Sequence, residues 1–328
     1  MDQISITTLL KPLSVLLEPQ KRLFWGNLLG SFFLIVLLSG SQWKAHIKTF
    51  LSPRIWWHPS SRADMKIVAI NAFVRTLFLS GSLAGSTALA ALLSLALTKI
   101  VGAKPDLSLA TGKVMFFYAL VIFLADDYAR YYLHRLQHSC SWLWVFHETH
   151  HSALVLTPLT LMRTHPIEII CSQIRDVITY GSVGGLFFYL FGPSLDYGDL
   201  LGMQIFGLLF NFLGANLRHS HVFLHFGPLE GIVISPAAHQ IHHSQDPAHY
   251  DKNFGVCLAL WDRLGGSFFD PRQVQKPLVF GLDQSPLSRP EQPLLPLYTH
   301  AFRQLFSRFR NAIPQGHLAT LDTKEHGK

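Results

Sequence analysis

The chain has 328 residues and a formal net charge of +7, from 27 Lys and Arg against 20 Asp and Glu. Charged residues are only 14% and hydrophobic residues 49%, whereas soluble domains carry about 25% charged residues; the composition excludes an ordinary soluble globule and points to a membrane protein. The basic residues are scattered between apolar runs instead of forming a stripe, which argues against nucleic acid and for anionic headgroups and a positive-inside bias.

The N-terminus, "MDQISITTLLKPLSVLLEPQKR", lacks a basic leading region and carries prolines in its apolar part, so it reads as an interfacial segment and not as a cleavable signal. Uncharged apolar runs from Leu23 to Gln42 and from Thr76 to Thr98 have the length of membrane spans. A third run, Val114 to Ala125, continues without a breaker into "DDYARYYLHRLQH", which predicts a helix that leaves the membrane carrying polar residues. The fourth, Val177 to Leu217, is interrupted by Gly192, Pro193 and Gly198 and predicts a helical hairpin that returns to its own side. The expected fold is all-α: an integral membrane helical bundle of about three N-terminal spans plus a hairpin, capped by a histidine-rich helical layer. Residues 1–110 form the N-terminal membrane segments, 111–275 the histidine-rich domain and 276–328 a tail. In that tail "THAFRQLFSRFRNAIP" alternates Phe and Arg at helical spacing, as either a membrane-surface helix or an ordinary surface helix would.

Lys44, Lys48, Arg54, Arg62 and Lys66 lie between the first two spans, against Lys99, Lys104 and Lys113 before the third. The first loop is therefore expected on the cytoplasmic side, and two crossings bring the histidines to the same face of a bacterial inner membrane or endoplasmic reticulum. Cys140, Cys171 and Cys257 lie far apart without C-x-x-C spacing and suggest neither a disulfide framework nor a thiolate metal site.

Thirteen of the 18 histidines fall between His134 and His249. "HRLQH" places His134 and His138 at i and i+4. "HETHH" places His147, His150 and His151 at i, i+3 and i+4, and "HQIHH" repeats this with His239, His242 and His243. Residues at those spacings share one helical face, so three helices would offer eight imidazoles. That is too many for one tetrahedral zinc and suits a dinuclear site. His219, His221 and His225 of "NLRHSHVFLHFG" compete to complete it. Imidazole donors suit iron, zinc, copper and nickel. Asp127 stands on one stripe with Tyr131, His134 and His138 and is a candidate to orient an imidazole, as are Asp251, Asn253 and Asp262. His165, before a proline, reads equally as a structural loop residue.

"HETHH" also satisfies H-E-x-x-H, in which His147 and His151 would hold zinc and Glu148 would be the base of a metalloprotease. That reading leaves "HRLQH" and "HQIHH" unexplained. A metal transporter would be expected to carry polar ligands inside its spans, which are bare.

With "DDYARYYLHRLQH", "HETHHS", "RTHPIE", "NLRHSH", "SPAAHQIHHS", "DKNFG" and "WDRLGG" in this order, roughly Met115 to Asp270 resembles the fatty acid hydroxylase and sterol desaturase superfamily of integral-membrane di-iron oxygenases. The resemblance implies that His134, His138, His147, His150, His151, His239, His242 and His243 bind two iron ions, with His219 the best match for a further ligand and His221 the next. It also implies hydroxylation or desaturation of a lipid, a sterol, fatty acyl chain or related molecule, with O2 as co-substrate. Electrons would come from an external donor such as a ferredoxin or a cytochrome b5-like protein. One departure is visible: where the family commonly reads W-D-x-x-F-G-T, this chain has Gly265 and Ser267.

Overall fold

The computed structural model describes residues 24–192 and 215–312, apart from Lys104, Asp106, Ser108 and Lys276. Among the described residues it is helical throughout; the only strand-like pairings are isolated bridges, Val233 with Leu258 and Ser244 with Phe280.

Helix α1, Trp25–Leu38, has 14 residues, about 21 Å at 1.5 Å per residue. The expected span from Leu23 to Gln42 is thus shortened. Gly40 takes a positive φ of 53°, a conformation that glycine adopts without steric cost, and the chain turns there into α2, Trp43–Phe50, and the single turn α3, Pro53–Trp56. Helix α4, Pro59–Val101, runs for 43 residues from Pro59 at its first position. Its first half carries Arg62, Asp64, Lys66 and Arg75, and its second, Gly81–Val101, is long and apolar enough to cross a membrane. Helix α5, Thr111–Ser139, contains both the third apolar run and "HRLQH" without interruption. After Cys140 the chain reverses into α6, Ser141–His151. Helix α7, Pro166–Phe191, ends at Gly192, whose φ is 70°; the return arm of the expected hairpin lies outside the described residues. The short helices α8, Pro236–His242, and α9, Leu260–Gly265, precede α10, Leu294–Ala312.

Helices α4 and α7 pack closely. A Cβ on Gly181 would sit 2.8 Å from Leu89 Cβ, and one on Gly185 would sit 2.7 Å from the Ala90 carbonyl. Small residues that let backbones approach drive helix pairing in lipid, where the hydrophobic effect does not. Helix α5 joins this pair through Val114, Tyr118, Ile122 and Phe187, with the Tyr118 and Phe187 rings edge to face at 5.2 Å. At the other end, the polar half of α4 packs Ala63 and Ile67 against Leu287 and Leu297, and α10 covers Val145 and Phe146 of α6. The helices thereby separate into an apolar end and a polar end, and all the clustered histidines belong to the polar end.

Candidate metal centre

Three helices deliver imidazoles at the spacings of their sequences. α5 contributes His134 and His138, and α6 contributes His147, His150 and His151 from its last turn and a half. α8 contributes His239 and His242, followed by His243 as its C-cap. The start of α8 is set by Ser235, whose hydroxyl accepts from Ala238 N–H while donating to Glu230 Oε2, an N-cap bond. His219 follows the 3-10 turn Ala215–Leu217.

These residues form two groups in each of which one ligand atom per side chain lies within 4.8 Å of all the others: His134, His138, His147, His151 and His242, and His150, His219, His239 and His243. The groups abut, with the His151 and His243 rings stacked at 4.6 Å. Within the first, His134 and His242 are 4.4 Å apart by ring centroid; within the second, His219 and His239 are 4.6 Å apart.

Three of the outer ring nitrogens are held by backbone carbonyls. His134 Nδ1 donates to the Phe254 carbonyl at 2.9 Å, His242 Nδ1 to Lys252 at 2.8 Å and His150 Nδ1 to Arg163 at 3.2 Å. A carbonyl can only accept, so each Nδ1 carries the proton and each Nε2 turns a lone pair inward. Inside, His138 and His151 approach Nε2 to Nε2 at 3.1 Å, His219 and His150 at 3.3 Å, and His239 and His219 at 3.1 Å. The buried Nε2 atoms of His147, His242 and His243, and the Nδ1 atoms of His239 and His243, have no hydrogen-bond partner. Converging lone pairs in a buried space are costly unless a cation takes them up. The donor set, all imidazole and all inward, therefore fits two transition-metal ions. Burial, the largest cause, pushes His134, His147, His151, His239, His242 and His243 well below the usual imidazole range and His150 to about 4. All are thus neutral at pH 7, as metal ligands must be.

His147 is oriented by a residue that the spacing of histidines does not reveal. Glu168 Oε2 lies 2.7 Å from His147 Nδ1 and 3.1 Å from Gln137 Nε2, while its Oε1 accepts from His165 N–H at 3.0 Å. The only local signal is the box "HPIE" at the start of α7, where His165 caps and Glu168 reaches back. Burial pushes the Glu168 carboxyl up to about 8; a positive charge beyond His147 acts in the opposite direction. Arg163, whose carbonyl holds His150, carries no signal in the sequence. Its fully buried guanidinium bonds Asp64 at 2.5 Å, Ser152 at 3.1 Å, Gln292 at 2.5 Å and the Ser60 carbonyl at 2.8 Å, tying α4 and the approach to α10 to the end of α6.

Four candidate site residues sit elsewhere. His221 belongs to neither group: its Nε2 accepts from Leu156 N–H at 3.2 Å and its ring packs on Phe280. The cause is local. Ser220 Oγ donates to the Leu217 carbonyl and accepts from Val222 N–H, so the chain bends between His219 and His221 and sends their rings apart. His225 is exposed and turned onto Gly227 N–H. Asp127 touches no imidazole; it accepts from Cys257 N–H, Leu258 N–H and Trp261 Nε1 at 2.8–2.9 Å and moors that loop to α5. Asn253, at a positive φ of 56°, instead bridges Ala238 and Phe269.

Asp251 and Asp262 lie nearer the rings. Asp251 Oδ1 is 3.4 Å from His138 Nδ1. Asp262 accepts from Phe254 N–H and Gly255 N–H at 2.9 and 2.7 Å, fixing the carbonyl that holds His134. Ser267 supplies a hydroxyl to Asp262 at 2.7 Å, and at Gly265 a Cβ would lie 1.9 Å from Tyr131 Oη, so Tyr131 and Arg135 occupy the space of a larger side chain. Glu148 faces away from both groups and accepts from Ser285 Oγ at 2.7 Å and Gln304 Nε2 at 2.9 Å.

The fatty acid hydroxylase family profile matches residues 119–267, a stretch that contains all nine converging histidines. The chain is 31% identical over 160 residues to an alkylglycerol monooxygenase of Homo sapiens, covering 49% of this chain and 32% of that protein. It is 31% identical over 157 residues to an ornithine lipid hydroxylase of Rhizobium tropici, covering 48% of this chain and 43% of that protein. It is also 31% identical over 155 residues to a Delta(7)-sterol 5(6)-desaturase of Eremothecium gossypii, covering 47% and 38%. The matched stretch spans less than half the length of each of these relatives. No solved structure matches the chain.

Proposed function

We propose that the chain, whose residues 119–267 match the fatty acid hydroxylase profile and resemble lipid hydroxylases and a sterol desaturase, is a membrane-bound di-iron oxygenase of the fatty acid hydroxylase and sterol desaturase superfamily. It would use O2 and external electrons to hydroxylate or desaturate a lipid. The observation that carries this reading is the pair of abutting all-imidazole groups, five and four histidines, each offering a ring nitrogen within 4.8 Å of the others in its group. Two iron ions bound there would supply reductive activation of O2 for attack on an unactivated C–H bond.

The protein's own groups would bind and orient. The carbonyls of Phe254, Lys252 and Arg163 keep the proton on Nδ1 of His134, His242 and His150, which keeps Nε2 available. Glu168 Oε2 holds His147 at its Nδ1. The lipid would reach the site from the bilayer. Helix α4 runs from Gly81–Val101 to Asn71, whose amide donates to the Thr164 carbonyl at 2.7 Å, next to the carbonyl that holds His150. The substrates named for the relatives, an alkylglycerol, an ornithine lipid and a sterol, support a lipid bearing a long apolar portion. Lys44, Lys48, Arg54, Arg62 and Lys66 precede the apolar part of α4 on the end that meets the site, which supports a cytoplasmic metal centre. The donor would be a ferredoxin or a cytochrome b5-like protein.

A zinc metalloprotease using His147, Glu148 and His151 is disfavoured, because Glu148 is engaged by Ser285 and Gln304 on the opposite side of α6. The test is metal analysis of protein purified reduced and iron-replete, paired with lipid analysis of cells with and without the gene. About two metals per chain and a lipid oxidised only when the gene is present are expected. One metal per chain with unchanged lipids overturns the reading.

A further inference from the structure

Helix α10 has two apolar faces. One packs on α4 through Leu297 and on α6 through Ala301. The other, Leu295, Phe302, Phe306 and Phe309, is largely open: Phe306 is 70% exposed, while Phe302, at its inner edge, also touches Phe146 and His165. At 3.6 residues per turn these four fall within an arc of about 60°. Arg303 and Arg310, both exposed, stand about 40–60° beyond its edge, and Leu294–Ala312 contains no Asp or Glu. We propose that this open face of α10 seats on an anionic lipid surface, with the phenylalanines in the acyl boundary and Arg303 and Arg310 among the headgroups.

Three observations choose lipid over another occupant. An apolar stripe bordered by arginine and free of acid complements a negatively charged bilayer. Trp142, 46% exposed, extends the stripe by packing on Phe309 at 5.0 Å, and tryptophan is an interface residue. The start of α10 is also tied to α4 where that helix approaches its apolar segment. Tyr298 Oη donates to Asn71 Oδ1 at 3.3 Å, and the neighbouring Phe73 is 66% exposed. The contact bears on the metal centre, since Thr149 Oγ1 donates to the Leu297 carbonyl at 2.9 Å and Gln304 holds Glu148: the helix that carries three of the imidazoles is clamped to the helix that meets the lipid. The inference is independent of which reaction the centre performs.

The test uses the full chain in nanodiscs. A bimane label is placed at Phe306→Cys, at Ser307→Cys as the off-face control, or at Leu92→Cys as the reporter of the membrane span, with Cys140, Cys171 and Cys257 changed to Ser. If that background loses metal, a genetically encoded fluorescent residue at the same positions in the native chain replaces it. Quenching by acyl-chain nitroxide lipids is expected to be several-fold stronger at 306 than at 307, to grow with phosphatidylglycerol content and to weaken in the Arg303→Gln/Arg310→Gln variant. Equal iodide access at 306 and 307 overturns the proposal, as does quenching indifferent to phosphatidylglycerol and to both arginines. Protection of 306 that rises only with protein-to-lipid ratio assigns the face to a second copy and also overturns it. The label at 92 reports separately on the span, so failure there and failure at 306 are distinguishable.

Discussion

Glu168 and His147 are 21 positions apart in sequence and meet at 2.7 Å, carboxylate oxygen to Nδ1, both side chains buried. A carboxylate behind an imidazole fixes its tautomer and raises its basicity, and removing such a partner typically costs 10–100-fold in metal affinity. Glu168→Ala is therefore expected to weaken metal retention by about that factor. Glu168→Gln, which can still accept through its amide oxygen, should retain more. Titration of metal-free protein with Fe(II) or Co(II) measures both, and an unchanged affinity in Glu168→Ala would show the contact to be idle.

His219 and His221 are expected to separate. His219 lies within reach of His150 and His239, whereas His221 accepts from the Leu156 amide. His219→Ala should reduce metal content toward one per chain. His221→Ala should leave it unchanged and lower thermal stability by about 1 kcal/mol, the worth of one hydrogen bond. Loss of metal in His221→Ala with full metal in His219→Ala would contradict the grouping.

Glu148→Gln discriminates between the two readings of "HETHH". Its contacts with Ser285 and Gln304 face α10, so the substitution should change metal content and lipid oxidation by no more than a few-fold. A metalloprotease base replaced by an amide would lose about a hundredfold or more in activity. A fully metallated Glu148→Gln protein with no lipid oxidation would contradict the placement of this carboxylate.

Acid should destabilise the metal-free protein in a defined window. Burial lowers the His150 imidazole from 6.5 to about 4, so between these values the unfolded chain binds more protons than the folded one. Stability then falls as pH drops from 6.5 toward 4, by at most about 1.4 kcal/mol per pH unit for each such group. The other buried imidazoles, shifted in the same direction, steepen the slope. Unfolding midpoints of metal-free protein from pH 7.5 to 4.5 measure this, and a flat profile would contradict it. Bound metal should carry the fall to lower pH, because a ligated imidazole takes no proton in the folded state while the unfolded chain still does.

Some of this architecture is local, and the sequence by itself determines it. The spacings of His134 with His138, of His147 with His150 and His151, and of His239 with His242 and His243 put each set on one helical face, because the 3.6-residue repeat is a property of the chain alone. The continuity of α5 from its apolar run into "HRLQH" follows likewise from the absence of a breaker. The shortening of α1 at Gly40 is decided by a single glycine φ, which residue type permits but does not dictate.

The division of the histidines into five and four was decided only by tertiary structure. His150 and His151 are adjacent, yet they fall into different groups. Neighbours on a helix point about 100° apart, and α5 lies on one side of α6 while His219 lies on the other. Asp127 shares a stripe with His134, but the loop at Cys257 reaches it first and takes its oxygens. Glu168 and Arg163 could be found only in the fold, since a hydrogen bond between distant helices requires the right residue types and leaves no periodicity behind. Helical spacing aims a side chain, and the packing of other helices decides what it meets.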